Sequence, residues 1–116
     1  MAIVTSRPAA GDVVEIEDSV RLLLDPSGVH CVEQFALRVR RAAAERNLAV
    51  RRMVVQRWQS VEDPEWVEAV IRVTVASEPR VALDFGAEAG EMLEEIKERD
   101  GSPRTGELLF VRFDWE

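Results

Sequence analysis

From Val67 to Val75 every odd position is apolar, Val67, Ala69, Ile71, Val73 and Val75, while Glu68, Arg72 and Thr74 take the other side. A period of two held that long fits a β-strand with one buried face and does not fit a helix. Ahead of it, Glu62-Asp63-Pro64-Glu65 is a polar turn, and residues 50–61 are rich in β-branched side chains with a broken alternation. Val50, Val54 and Trp58 share one parity, Met53 and Val55 the other, which predicts a strand that contains a bulge. The two runs together predict a hairpin.

Helical signals flank this hairpin on both sides. Asp25-Pro26-Ser27-Gly28 offers Asp25 or Ser27 as a cap, and Val32, Phe35, Ala36, Val39 and Ala43 follow at spacings of three and four. Asn47 is a left-handed stop. After the hairpin, Ser77-Glu78-Pro79 announces a second helix whose buried stripe is Ala82, Phe85, Ala89, Met92, Leu93 and Ile96, ended by Gly101 and Pro103. Gly86 and Gly90 inside that helix predict a groove of small residues against Ala36, Ala42 and Ala43 of the first helix.

Two further strands complete the pattern. Val20, Leu22 and Leu24 alternate and predict a first strand, preceded by a short extension at Val14 and Ile16. Leu109, Val111, Phe113 and Trp115 alternate against Leu108, Phe110, Arg112 and Asp114 and predict a last one. The order β, α, β, β, α, β predicts an α+β fold of the ferredoxin-like kind. In it a four-stranded antiparallel sheet of spatial order 4-1-3-2 carries two helices on one face. Residues 1–11 read as a loose arm and 12–116 as a single domain, with a core that includes Val20, Leu22, Phe35, Val39, Ile71, Val73, Phe85, Leu93, Val111 and Phe113. At 116 residues one core is expected, burying roughly two thirds of the unfolded surface.

Composition narrows the function classes. One cysteine, Cys31, makes no internal disulfide, and with His30 as the one histidine there is no ligand set for structural zinc. The opening residues lack a signal-peptide pattern and no run is long enough to span a membrane, which makes a cytoplasmic protein the expectation. Lys97 is the one lysine among fifteen basic residues, a bias that reads as codon usage in a GC-rich genome.

Charge is arranged in blocks. Residues 38–57 hold seven arginines and one acid, Glu45, whereas residues 78–100 hold eight acids against Arg80, Lys97 and Arg99. Complementary charge between the two helices or between subunits accounts for both blocks, and a chain of net charge −7 repels a polyanion, so no nucleic-acid partner is expected. His30 and Cys31 at a helix start raise the possibility of an activated thiol. Adjacent helical residues point about 100° apart, however, and Cys31 reads as a small buried residue at the edge of the apolar stripe. The clustered carboxylates read as solvated faces, and no catalytic residue, metal site or cofactor is expected.

The residues therefore favour a non-enzymatic interaction or regulatory module that acts as a homo-oligomer. Leu23, Trp66, Val70, Leu108 and Phe110 are expected to form an apolar patch on the sheet face opposite the helices, rimmed by Arg21, Glu68, Arg72 and Arg112. The alternative is a small-molecule binding protein or enzyme with a pocket between that face and a partner subunit. RNA binding through the sheet is a third reading, which wants aromatics in stacking positions on the central strands.

Overall fold

A computed structural model describes residues 14–116; the expected arm at 1–11 lies outside the described residues. The elements are β1 (Glu15–Ile16), α1 (Asp18–Arg21), α2 (Pro26–Glu45), β2 (Ala49–Gln59), β3 (Val67–Ala76), α3 (Pro79–Asp100), α4 (Pro103–Leu108) and β4 (Leu109–Trp115). They form one four-stranded sheet of order β1-β2-β3-β4. β1 is parallel to β2, β2 antiparallel to β3, and β3 parallel to β4.

This corrects the ferredoxin-like expectation: the sheet is mixed, and each helical crossover returns to the adjacent strand rather than skipping one. The physical reason lies in the first strand. An order of 4-1-3-2 places strand 1 in the middle of the sheet, where it must be long and paired on both sides. Here the strand is only Glu15–Ile16, and the expected strand at Val20 to Leu24 is a helical turn followed by two turn residues. Val20 and Leu24, four apart, are both buried, whereas Leu22 is 90% exposed. The i, i+4 spacing thus overrides the period of two. The centre of the sheet belongs to the two longest strands, β2 and β3, which are joined as a hairpin.

Asp25 caps α2 by accepting from the Gly28 N–H at 2.7 Å, with Pro26 in the first turn. Asn47 takes the left-handed conformation, φ 57°, after α2 ends. The bulge expected in β2 falls between Val50 and Arg52. It puts Val50 on the same face as Met53 and Val55, opposite Val75, Val73 and Ile71 of β3. Phe35, Val39, Phe85, Leu93, Ile71 and Val73 are fully or nearly fully buried in one cluster, so both long helices lie on this face. Truncating a ring such as that of Phe35 to alanine costs about 3 to 5 kcal/mol in sites of this kind.

The expected small-residue groove between the long helices is also corrected. A Cβ on Gly86 would lie 3.2 Å from Cβ and Cγ of Phe113, and one on Gly90 would meet nothing within 4 Å. Gly86 therefore admits the Phe113 ring from β4, which stands edge-on to Phe85 at 5.6 Å. Among the described residues no helix is long and apolar enough to cross a membrane.

Candidate interaction surface

The register assigns the face of the sheet turned away from the long helices. Val54, Arg72 and Arg112 form one row across it, continued by Glu15 of β1, and Gln56, Val70 and Phe110 form the next, with Trp58 beside Glu68 beyond them. Trp58 is 47% exposed and Phe110 37%. Around Val70 they border a shallow depression of about 360 Å³, walled by Gln56, Glu68, Arg72 and Arg112.

Every arginine in these rows has an acid beside it. Arg72 donates to Asp114 through Nε at 3.0 Å and Nη2 at 2.8 Å, and Arg112 Nε lies 3.4 Å from the same carboxylate. Arg52 lies 3.7 Å from Glu15. On the acidic side, the Trp66 indole N–H donates to Glu68 at 2.7 Å and Gln56 donates to Glu17 at 3.3 Å. The face is thus an apolar centre within a mosaic of both charges, without an unopposed cationic stripe.

Of the five expected patch residues, Val70 and Phe110 are direct register partners on this face. Trp66 stands just before β3, 57% exposed, its indole turned to Glu68. Leu23 and Leu108 do not join Val70 and Phe110, although Leu108 lines a separate depression together with Trp66. Both are partly buried against the helix-side core, Leu23 in the turn after α1 and Leu108 as the last residue of α4. Arg21 belongs to α1, away from the rim it was expected to form.

Trp58 and Gln56 belong to the surface and were missed. The bulge carries the signal for them, because it reverses the parity of β2 and sends Val54, Gln56 and Trp58 outward. The α4 turn was also legible, in Ser102-Pro103, a cap followed by a proline at the first helical position.

A second depression of about 600 Å³ opens between the hairpin turn and α4, with Asp63, Glu65, Trp66, Arg104 and Glu107 around it. It is wider, and Val67 and Leu108 line it as well, so its walls are both charged and apolar. Among the described residues no group of three or more His, Cys, Asp and Glu side chains could hold a metal ion.

The reactive side chains are held in structural contacts. Cys31 is fully buried, its Sγ 3.9 Å from the Ile96 carbonyl, and burial pushes its pKa up, with Asp100 and Asp25 adding to the rise. That is the opposite of what a nucleophilic thiol needs. His30 Nε2 lies 3.5 Å from Asp100, whose pKa is held down chiefly by its hydrogen bond from Arg99. Hydrogen bonds from Ser102 and the Gly28 N–H lower Asp25 to about 2, so it carries no proton to give at neutral pH.

The arginine block is spread over several partners. Arg38 meets Glu95 at 3.5 Å and Arg46 meets Glu88 at 2.5 Å, bridging α2 and its end to α3, whereas Arg51 meets Glu116. Comparison with family models, curated proteins and solved structures finds no match to this chain.

Proposed function

We propose that this chain is a non-enzymatic interaction module that works as a homo-oligomer, with the open sheet face as its contact surface. One observation carries the reading: Trp58, Val70 and Phe110 line one shallow depression, bordered on one side by the Arg72–Asp114 and Arg112–Asp114 pairs and on the other by Glu68. Aromatic residues and arginine are the types enriched in the cores of protein interfaces, and a charged rim is their usual border. A mosaic of both signs also lets a surface meet a copy of itself, since each cation finds an anion after a twofold rotation.

Trp58 does supply the central-strand aromatic that an RNA-binding sheet would want. Arg52, Arg72 and Arg112 are nevertheless engaged by carboxylates and the chain carries a net charge of −7, which favours a protein partner over a polyanion. The same reading takes the protein to act in the cytoplasm, where a free buried thiol such as Cys31 stays reduced.

Light scattering on the full chain and on Phe110→Glu tests the proposal. The expected outcome is an oligomer that the substitution converts to monomer. A wild type that stays monomeric up to its highest soluble concentration overturns it, and an oligomer indifferent to Phe110→Glu removes the open face from the interface.

A further inference from the structure

The geometry of the last strand points to a specific way in which two copies meet. We infer that the free edge of β4 pairs antiparallel with β4 of a second copy, with Phe113 on the twofold axis. The inference takes from the reading above only that copies of the chain associate; it adds a contact at the sheet edge, which leaves the open faces free to meet further copies.

Among the described residues β3 is the one neighbour of β4 in the sheet. The Glu116 N–H donates to the Val75 carbonyl at 3.1 Å, so Glu116, and by alternation Asp114, Arg112 and Phe110, direct their main-chain groups to β3. Leu109, Val111, Phe113 and Trp115 direct theirs outward. A second contact marks the same direction, since Lys97 Nζ reaches the Leu109 carbonyl at 2.8 Å from α3. The outward N–H and C=O groups of Val111, Phe113 and Trp115 form the kind of row that templates strand addition.

Charge selects the register. Centring the pair on Arg112 or on Asp114 sets that residue against its own copy, like charge against like. Centring it on Trp115 sets Asp114 against Glu116. Centring it on Val111 sets Arg112 against Phe110, without a charge partner across the axis. Only the Phe113 centre places Arg112 opposite Asp114 on both sides of the axis, which extends the Arg72–Asp114 pair across the boundary.

The apolar side agrees. In this register Phe113 faces Phe113, and Val111 faces Trp115, a residue 42% exposed in the single chain. The Leu109 carbonyl is already held by Lys97, so the row offered for pairing is that of Val111, Phe113 and Trp115. Joined in this way, two sheets become one of eight strands and the two open faces lie side by side.

The test is a crosslink that reads the register. Full-length Arg112→Cys and Asp114→Cys chains are oxidised mildly, each alone and as a refolded equimolar mixture, and run on a non-reducing gel. Positions 112 and 114 of opposite chains would form a non-hydrogen-bonded pair with Cα atoms about 4.5 Å apart. That separation lies within disulfide reach. In the mixed dimer the other Arg112–Asp114 pair stays intact, and buried Cys31 takes no part. The expected result is a covalent dimer in the mixture and none in either variant alone.

A covalent dimer of either single variant overturns the register. If the mixture fails to crosslink while light scattering shows the wild type to be oligomeric, the edge pairing falls and the self-association reading stands. A monomeric wild type overturns both.

Discussion

The Ser102 hydroxyl donates to the Asp25 carboxylate at 2.7 Å across 77 residues of sequence, and so joins the caps of two helices. Asp25 caps α2 at Gly28, and Ser102 caps α4 by accepting from the Thr105 N–H at 3.2 Å. Ser27 accepts from the Ser102 N–H at 2.9 Å and donates to Asp25 at 3.1 Å, while the buried Thr105 hydroxyl donates to Asp25 at 3.2 Å. The start of the first long helix is thereby tied to the end of the second and to the turn that launches β4.

This junction makes stability depend on pH with a definite sign. Asp25 is lowered to about 2 in the folded chain, first by the Ser102 hydroxyl and then by the Gly28 N–H. Its ordinary value is about 3.9. A depressed carboxylate stabilises the fold above its unfolded pKa, and that contribution disappears as pH falls from about 4 towards 2. Asp25→Asn should therefore melt at a lower temperature than wild type at pH 7, with the gap clearly smaller at pH 2.5. Thermal melts at the two pH values check it, and a gap that is constant with pH counts against the mechanism.

The two glycines of α3 should respond oppositely to alanine. Gly90 has open space around its absent Cβ, so Gly90→Ala should stabilise by up to about 1 kcal/mol through helix propensity. In a chain of this size that raises the melting temperature by about 4 °C. At Gly86 the new Cβ would press on Phe113 at 3.2 Å, and Phe113 is itself set edge-on to Phe85. Gly86→Ala should melt at or below the wild-type temperature. Equal stabilisation by both substitutions would show that the Phe113 contact yields freely.

Both long helices and the hairpin were legible because their signals are local. Asp25-Pro26 starts α2, Asn47 stops the chain beyond it, and the three-four spacing of Val32, Phe35, Ala36 and Val39 needs no knowledge of neighbours. The stretch from Val20 to Leu24 misleads because Val20, Leu22 and Leu24 satisfy a period of two while Val20 and Leu24 also satisfy a helical one. Only packing decides, and it leaves Leu22 exposed. Strand order is non-local altogether: it depends on which edge of β2 the short β1 finds. The surface was half legible. Val70 and Phe110 follow from the alternation of β3 and β4, whereas Trp58 depends on where within β2 the bulge falls, which the residue pattern brackets without fixing.

Cys31 should behave as a core side chain. It is fully shielded and its pKa is raised by burial, so an aromatic disulfide reagent should leave the native protein unmodified and label it stoichiometrically in denaturant. Reaction with the native chain within minutes at pH 8 would contradict the burial.

Lys97 offers the sharpest separation of two electrostatic contributions. Its Nζ donates to the Leu109 carbonyl at 2.8 Å and to Glu94 at 3.0 Å, and lies 4.9 Å from the centre of the Phe110 ring. The Lys97 side chain is 5% exposed, the Glu94 side chain 66%. An ion pair with so exposed a partner is worth at most about 1 kcal/mol. A shielded carbonyl that loses its donor costs about 1 to 3 kcal/mol. Lys97→Met keeps the length of the stem but removes the donor, and should destabilise by about 1 to 3 kcal/mol. Glu94→Gln should change stability by less than about 0.5 kcal/mol, as surface substitutions do. Urea unfolding of both variants at neutral pH makes the comparison, with midpoints read at unchanged slope. If Glu94→Gln costs as much as Lys97→Met, the ion pair within α3, rather than the bond to the Leu109 carbonyl, carries the contribution of Lys97.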